Sequence, residues 1–328
     1  MRYLRNHSTD VYYNMAFDEY ALEQLPLDEP LFFLWQNRPA VIIGLNQNAY
    51  AEVDMDYLNQ HDIVLARRIT GGGAVYHDLG NLNYTIVGRS SDIERDYPEY
   101  ARHMLQALQA LGVQAELSGR NDILVEGRKV SGYAKRVYKD RLMVHGTLMY
   151  DVDIEMLTRA LTPATNKLET KGIASVRSRV LNLREHLPQF TSIDALAQAL
   201  EHHLSRQYQD KEYTLTETQL AEIRAIAETK FTTPGWIYGR SPNDTIAYAK
   251  HLPCGNVAVH MDIKKGVIAQ CSITGDFLGN TPIGTIENLL QGCLYERSAL
   301  QQRLAKVNIQ DFLDGTDINT FINLLFNL

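Results

Sequence analysis

A glycine-rich run carries the strongest chemical signal in the sequence, because residues 67–76 spell RRITGGGAVY. The three successive glycines at 71–73 have no Cβ, so their backbone N–H groups can approach an anion closely. Arg67 and Arg68 add guanidinium groups, which match phosphate or carboxylate in a bidentate geometry. The run lacks the lysine of a P-loop and the third glycine of a dinucleotide fingerprint. It therefore predicts an anion-binding loop of another type, with a plain flexible turn as the alternative.

A lysine within a predicted strand is the second signal, in residues 119–134, GRNDILVEGRKVSGYA. Alternation along a strand predicts that Lys129 and Ser131 share one face while Gly132 lies on the other. An ammonium group beside small residues and flanked by apolar strand residues can hold an anion as a point charge. Asp122, on the partner strand, offers the carboxylate oxygens that Mg²⁺ prefers. The alternative is an ordinary exposed strand lysine.

Basic residues concentrate in one part of an otherwise acidic chain. The formal net charge of the 328 residues is −7, which argues against nucleic acid as the main partner. Residues 119–184 nevertheless carry 13 basic and 7 acidic groups, and residues 171–184 include four basic groups and no acidic one. This segment predicts a cap over phosphates or a docking face for an acidic protein, with a solvated loop as the alternative.

Composition is that of an ordinary globular protein. Hydrophobic residues make up 45% of the chain and charged residues 22%. No run approaches the roughly 18 consecutive apolar residues of a membrane span. The opening residues MRYLRNH lack the apolar core of a signal peptide, and the three cysteines form no C-x-x-C pair. We therefore expect a cytoplasmic protein with no membrane segment, disulfide framework or cysteine-rich zinc site.

Hydrophobic period and capping residues predict mixed strands and helices in the first half of the chain. The predicted helices cover 14–24, with Asn14 as the cap, and 98–111. The predicted strands cover 31–35, 41–44, 63–67, 82–87, 123–125, 129–133 and 147–150. We expect 31–35 and 41–44 to pair with each other, and the glycine run to lie between 63–67 and 82–87.

The second half predicts helices, a linker and a small sheet. Thr191 with Asp194 and Thr216 with Gln219 form capping-box patterns. Residues 229–235, TKFTTPG, interrupt the helical pattern and predict an interdomain linker. Beyond them the predicted strands cover 245–251, 256–263 and 267–273, and the predicted helices cover 285–293, 298–306 and 317–326. The whole pattern favours an α+β fold: a large domain of mixed β-sheets flanked by helices, residues 1–230, and a smaller α/β accessory domain, residues 236–328.

With these runs in place, the chain resembles the lipoate–protein ligases of the long, two-domain form, within the superfamily of biotin and lipoate ligases. The resemblance covers nearly the whole chain and rests on motifs that follow one another in order. In the large domain they are Asn14–Glu19, Trp35, Val41–Gly44, Gln47-Asn48, Arg67–Asn83, Gly119–Ala134, His145–Leu148 and Lys171–Leu183. In the accessory domain they are Trp236, Gly239, the 256–273 hairpin and Gln291–Tyr295.

The resemblance implies a two-step reaction on small-molecule lipoate or octanoate. Lipoate and ATP with Mg²⁺ give enzyme-bound lipoyl-AMP and pyrophosphate, and a lysine of an acidic lipoyl carrier domain then takes the acyl group as an amide. The carriers it implies are 2-oxoacid dehydrogenase acyltransferase subunits and the glycine cleavage carrier protein. Lys129 is implied as the catalytic lysine, bridging the lipoyl carbonyl and the α-phosphate, and Asp122 as the metal ligand. The implied ligand-binding residues are Arg67, Arg68, Gly71, Gly72, Gly73, Ala74, Val75, Tyr76, Asn81, Asn83, Asp122, Lys129, Ser131, Gly132, His145 and Thr147.

Three other functions compete with this one. An acyltransferase that forms a cysteine thioester is opposed by residues 1–253, which contain no cysteine. A transferase that uses a lysine without ATP, and a non-catalytic sensor of lipoate or nucleotide, both stay open. Residues alone leave the choice between lipoate and octanoate, the carrier and the oligomeric state undetermined.

Overall fold

The computed structural model describes residues 1–119, 121–161, 178–205, 212–238, 246–264 and 266–326. Contacts divide the chain into two compact units. The first unit comprises Met1–Ile42, Val53–Arg67 and Val75–Trp236, and the second comprises Ile43–Glu52, Arg68–Ala74 and Ile237–Leu328. The glycine run thus belongs to the same unit as the C-terminal residues, while the two domain ranges expected from sequence stay a prediction.

The first unit is built from a large sheet, a small sheet and flanking helices. Its strands are β1 Arg2–Leu4, β2 Leu31–Trp35, β3 Ala40–Ile43, β4 Val64–Arg67, β5 Val75–His77, β6 Asn81–Arg89, β7 Ala115–Ser118, β8 Asp122–Val125, β9 Arg128–Tyr138, β10 Arg141–Met149 and β11 Glu212–Tyr213. Its helices are α1 Val11–Glu23, α3 Met55–Gln60, α4 Ile93–Ala110, α5 Ile154–Ala160, α6 Ile193–Ser205, α7 Glu217–Ile226 and α8 Pro234–Tyr238, and α2 Ala49–Glu52 lies in the segment assigned to the second unit. The predicted α+β class is confirmed.

Alternation along the central strands gives the large sheet two different faces. The strand order is β11-β1-β2-β6-β10-β9-β8-β7, and β6 and β10 pair antiparallel at the centre. Leu82, Tyr84 and Ile86 of β6 face a hydrophobic core that also contains side chains of α4 and α6. Since neighbouring strand residues point to opposite faces, Asn83 and Thr85 lie on the other side. One sheet therefore carries both the core and a polar strip.

The first helix begins earlier than the sequence predicts. α1 starts at Val11, and the carboxylate of Asp10 accepts hydrogen bonds from the backbone N–H groups of Tyr12 and Tyr13. The predicted cap Asn14 is wrong, because this side chain is buried inside the helix. Its Nδ2 donates to the Ser8 and Gln36 carbonyl oxygens and to Asn37 Oδ1. Asn14 thus ties three segments together.

Two further local predictions are wrong. β2 and β3 do not pair, since β2 lies in the large sheet and β3 lies in a three-stranded sheet of order β4-β3-β5. α6 is capped by Ser192, whose Oγ accepts from the N–H of Ala195, and not by Thr191. The capping box of Thr216 with Gln219 is confirmed at the start of α7.

The predicted linker at 229–235 is packed helical structure. A π-helical turn, Ala227–Phe231, continues α7, and α8 begins at Pro234. Phe231 is fully buried, and Lys230 forms an ion pair with Glu19 of α1. The proline and glycine that suggested a break lie in the first turn of a helix, where a missing N–H costs little. Residues 239–245 lie outside the described residues.

The second unit has its own sheet and core. Strands β12 Ile246–Leu252, β13 Gly255–Lys264 and β14 Val267–Gly275 form an antiparallel sheet, as the sequence predicts. Helices α9 Gly284–Leu290, α10 Arg297–Leu304 and α11 Ile318–Leu325 pack on one face and bury Val259, Met261 and Ile273. Among the described residues, no helix combines the length and the apolar composition needed to cross a membrane.

A Gly146→Ala substitution tests the core face of the large sheet. A Cβ at this position would lie 2.5 Å from the hydroxyl oxygen and 2.6 Å from Cζ of Tyr84, which is buried. The ring has no room to move, so we expect overpacking to lower the free energy of unfolding by about 1–3 kcal/mol. Chemical denaturation measures the change, with Gly235→Ala, which meets no atom within 4 Å, as the control. Equal stability of both variants would contradict this packing.

Candidate active site

The polar strip of the large sheet is organised by one buried carboxylate. Asp18 lies on α1, which packs against β6 and β10. Its Oδ1 accepts from Thr85 Oγ1 at 2.7 Å, and its Oδ2 lies 2.7 Å from His145 Nδ1. Thr85 Oγ1 in turn accepts from Trp35 Nε1 at 3.0 Å. Because a carboxylate is an acceptor, the network places the His145 proton on Nδ1.

Asn83 extends this strip by two residues along β6 and faces Thr147 of β10 in the antiparallel register. Its Oδ1 accepts from Asn81 Nδ2 at 2.9 Å. Its Nδ2 is buried and has no hydrogen-bond partner among the residues that the structure describes. A buried donor without an acceptor costs free energy, so Asn83 fits a site whose ligand supplies an oxygen.

Lys129 reaches the polar strip at its β8–β9 end. The Nζ atom lies 2.7 Å from Asp122 Oδ1, at the distance of an ion pair but without the alignment of a good hydrogen bond. A Cβ on Gly132 would lie 2.9 Å from both Cε and Nζ of Lys129. Gly132 N–H also donates to Thr147 Oγ1 at 3.3 Å. Lys129, Asp122, Gly132 and Thr147 therefore form one cluster in the first unit.

The predicted faces of this strand are wrong for Lys129. The β8–β9 register shifts between Ile123 and Leu124, so that Ile123 faces Ser131 while Leu124 faces Lys129. This irregularity breaks the alternation, and the lysine ammonium lies on the Gly132 side. Ser131 instead faces the core side, next to Tyr84. Burial raises the pKa of Tyr84, and the Ser131 hydroxyl lowers it by a smaller amount.

The backbone of Lys129 is fixed on both sides. One side faces β8, and on the other the Lys129 N–H donates to the Arg179 carbonyl oxygen at 2.8 Å. The Lys129 carbonyl oxygen accepts from Leu181 N–H at 2.9 Å. Residues 179–181 of the basic run predicted to cap or dock therefore lie beside the lysine. Residues 171–177 of that run lie outside the described residues.

The predicted metal ligand Asp122 is half exposed and paired with Lys129. Among the described residues, no three histidine, cysteine or acidic side chains gather where they could hold a metal ion. Mg²⁺ is nevertheless often held by one carboxylate together with substrate phosphates. A single carboxylate oxygen fits that mode of binding, so the role of Asp122 stays a prediction. Burial raises the pKa of the neighbouring Tyr133 phenol, and the Asp122 charge adds to the rise.

In the second unit, Arg68 organises the glycine run. Its Nη2 donates to the carbonyl oxygens of Gly71 (2.7 Å) and Gly73 (2.9 Å), and its Nε donates to Thr70 Oγ1 at 2.9 Å. The guanidinium therefore shapes the loop from inside. Gly72 has a φ of 96°, a conformation that favours glycine.

Close packing explains part of the glycine content. A Cβ on Gly71 would lie 2.4 Å from the Phe277 carbonyl oxygen, and a Cβ on Gly44 would lie 2.0 Å from the Gly72 carbonyl oxygen. Gly72 N–H also makes a long hydrogen bond of 3.4 Å to the Phe277 carbonyl oxygen. The run is therefore needed for the fold of this unit, whatever ligand it binds.

The other predicted residues divide between the two units. Arg67 is buried in the first unit, where its Nε donates to the Trp236 carbonyl oxygen at 3.0 Å. Val75 and Tyr76 pair with Ile42 and Val41 in the small sheet, and burial raises the pKa of Tyr76. Ala74 ends the glycine run in the second unit. The roles given to these residues, and to Asn81, Ser131 and His145, stay predictions.

Sequence reasoning missed the buried Asp18 network. The available signal was a pair of polar residues, Asn14 and Asp18, one helical turn apart among apolar residues. Residues four apart share a face of a helix, so a buried face must hold both of them. Buried polar side chains need partners, which predicts a polar surface opposite the helix.

The first unit thus contains a mixed sheet with a buried polar strip and a lysine at its end, and the second unit contains a glycine loop that an arginine holds. The profile of the lipoyl protein ligase A/B catalytic domain matches residues 10–205, and that of the bacterial lipoate protein ligase C-terminus matches residues 241–325. The chain belongs to the lipoate–protein ligase family. The resemblance predicted from sequence is confirmed, and the protein is a ligase.

One relative matches 95% of this chain, and two solved structures match 75% and 73% of it. Lipoate-protein ligase LplJ of Bacillus subtilis is 38% identical over 317 residues, which are 95% of this chain and 96% of the relative. A structure of a bipartite lipoate protein ligase and its E2 lipoyl domain from Thermoplasma acidophilum has a TM-score of 0.66 at 31% identity, covering 75% of this chain and 98% of that one. A lipoate-protein ligase A bound with ATP has a TM-score of 0.63 at 30% identity, covering 73% and 98%.

A Gly132→Ala substitution tests the position of the lysine. The added methyl would lie 2.9 Å from Cε and Nζ of Lys129, too close for the ammonium to stay, and this end of a flexible side chain can move. We expect a folded protein whose ligase activity falls at least tenfold, because the ammonium no longer lies over the strip. Pyrophosphate release and thermal melting measure the two effects. The control is again Gly235→Ala, whose added methyl meets no atom within 4 Å. Gly127→Ala in the β8–β9 turn is less suitable, because the positive φ of Gly127 would strain an alanine. Full activity of Gly132→Ala would contradict this placement.

Proposed function

We propose that the protein activates lipoate with ATP and transfers the lipoyl group to a lysine of a carrier protein. The observation that carries the proposal is the Lys129 ammonium, fixed over Gly132 at the end of a buried polar strip. Membership of the ligase family, the ATP-bound relative and the relative described with its E2 lipoyl domain support it.

In the first step a lipoate carboxylate oxygen attacks the α-phosphorus of ATP, and pyrophosphate leaves. Two anions must approach, so the barrier falls where fixed positive groups neutralise them and water is excluded. Lys129 supplies a point charge that can contact both the carboxylate and the α-phosphate. Magnesium bound with ATP would neutralise the phosphates, and Asp122 is the side chain proposed to hold it.

The glycine loop is the proposed holder of the nucleotide. Arg68 sets the loop conformation from inside, so the backbone N–H groups are arranged before an anion arrives. The residues proposed to contact the nucleotide are Arg67, Arg68, Gly71, Gly72, Gly73, Ala74, Val75 and Tyr76. The apolar lipoyl chain is proposed to lie along β3 and β5, around Val41–Gly44 and Val75.

In the second step the neutral amine of the acceptor lysine attacks the lipoyl carbonyl carbon, and AMP leaves. Bringing a lysine from its reference pKa of about 10.4 to neutrality at pH 7 costs roughly 4–5 kcal/mol. Lipoyl-AMP is a mixed anhydride with a good leaving group, and we assign no general base. The acceptor is proposed to be an acidic lipoyl carrier domain, which suits the basic segment 119–184.

A transfer without ATP is the alternative function. The thioester route has no support, because the three cysteines, Cys254, Cys271 and Cys293, all lie in the second unit and are buried. Free cysteines also fit the reducing cytoplasm that we propose as the location. Mass spectrometry of a lipoyl domain incubated with the protein, ATP, Mg²⁺ and lipoic acid, each omitted in turn, distinguishes ligase from transferase and from a sensor.

A Lys129→Ala substitution tests the first step. We expect loss of lipoate-dependent pyrophosphate release by at least a hundredfold with the fold intact, because the charge shared by carboxylate and phosphate is removed. Lys135→Ala, on the same strand but over the Tyr97 ring, is the control and should retain activity. Pyrophosphate release by Lys129→Ala at the control rate would remove the lysine from its role.

Replacement of Arg177 and Arg179 by glutamate tests the docking face. Arg179 is exposed next to Lys129, and Arg177 lies outside the described residues. Reversed charge repels an acidic carrier, so we expect carrier modification to slow about tenfold at low salt while pyrophosphate release changes less than twofold. Raising the salt should shrink the difference, since exposed charges are then screened. Equal slowing of both reactions would assign these arginines to the nucleotide.

A further inference from the structure

Two neighbouring arginines at the root of the glycine run have different partners. Arg67 ends β4 and Arg68 begins the segment assigned to the second unit. Successive side chains at the end of a strand point in opposite directions, and Arg68 bonds the loop carbonyls. Arg67 is 1% exposed. A guanidinium in that position requires hydrogen-bond acceptors, and one of them is a backbone carbonyl oxygen far along the chain.

That acceptor belongs to Trp236, and the contact is reciprocal. Arg67 Nε donates to the Trp236 carbonyl oxygen at 3.0 Å, and Trp236 Nε1 donates to the Arg67 carbonyl oxygen at 2.9 Å. The two residues are 169 positions apart. Both are the last residues of their segments in the first unit, before the chain passes to the second. The pair therefore joins two of the three places where the chain leaves the first unit.

Trp236 is itself held by several contacts within the first unit. Its N–H donates to the Thr233 carbonyl oxygen at 3.1 Å, and its ring packs edge-on against Phe231 with centroids 5.5 Å apart. The Lys230 ammonium lies 4.2 Å from the ring centroid and is paired with Glu19 of α1. A cation over an indole and a buried edge contact both favour one orientation of the ring.

We propose that Trp236 is a positioning residue for the glycine run. Its indole N–H fixes the carbonyl oxygen of Arg67, and that carbonyl belongs to the peptide from which Arg68 and the loop begin. Arg67 then holds the root of the loop, in addition to the nucleotide contact proposed for it, while Arg68 shapes the loop. The inference rests on the proposed function where it concerns nucleotide binding, and on geometry alone where it concerns the order of the loop.

A Trp236→Phe substitution removes the indole donor and keeps an aromatic ring. We expect hydrogen–deuterium exchange of the amides at 68–74 to quicken at least tenfold. If the protein activates lipoate with ATP as proposed, we expect the KM for ATP in pyrophosphate release to rise at least fivefold. The KM for lipoate should stay within twofold. An activity without ATP would overturn the proposed function and leave the exchange result to decide the positioning role.

Lys230→Met is the matched control. It removes the cation–π contact and the pair with Glu19. The Phe231 edge contact and both hydrogen bonds to Arg67 still hold the indole, so the melting temperature should fall while exchange at 68–74 is unchanged. Arg67→Lys is a second variant that loses the guanidinium bond to Trp236 and should quicken exchange in the same amides. Unchanged exchange in Trp236→Phe, or equal quickening in Lys230→Met, would overturn the proposal.

Discussion

The position of one ammonium group depends on constraints that reach across the first unit. Lys129 needs room, which the missing side chain of Gly132 supplies, and a counter-charge, which Asp122 supplies. It also needs a rigid backbone, and hydrogen bonds to Arg179 and Leu181 fix it from the side opposite β8. The shift in register between β8 and β9 turns the side chain toward the polar strip. Room, counter-charge, backbone and register together set the position of this ammonium group.

The polar strip exists because a sheet has two faces and only one of them is needed for the core. The apolar residues of β6 and β10 pack against α4 and α6, and the polar residues between them necessarily point the other way. α1 covers part of that polar face, and Asp18 satisfies Thr85 and His145 there. Asn83 Nδ2, which has no partner within the described part of the chain, marks where this compensation stops. A buried core on one face and a polar strip on the other are thus two results of one alternating pattern.

The sequence predicted the positions of strands and helices better than it predicted which strands pair and in which register. The strands on both sides of the glycine run and the three strands of the second unit were found, since alternation and turn residues are local signals. The pairing of β2 with β3 was wrong, because adjacency in the chain does not reveal that β2 joins β1 and β6. The register shift at Ile123 was also invisible, since no residue type there demands it, and it alone decides which face Lys129 occupies. Asn14 was mistaken for a cap because the same side chain suits a helix start and a buried junction.

Residue types in the glycine run indicate a binding site, but they do not show which residues bind a ligand and which only shape the loop. Consecutive glycines suggested a cradle for an anion, yet Gly71 and Gly44 also leave space for a backbone that would otherwise clash. The two arginines suggested two ligands for one anion, yet one is buried against Trp236 and the other bonds the loop itself. Residues that shape a loop and residues that bind its ligand are drawn from the same types, because both tasks require donors and little bulk. Only the partners of each side chain distinguish the two tasks. Arg68 bonds the carbonyl oxygens of its own loop, whereas the Arg67 acceptor at Trp236 lies 169 positions away.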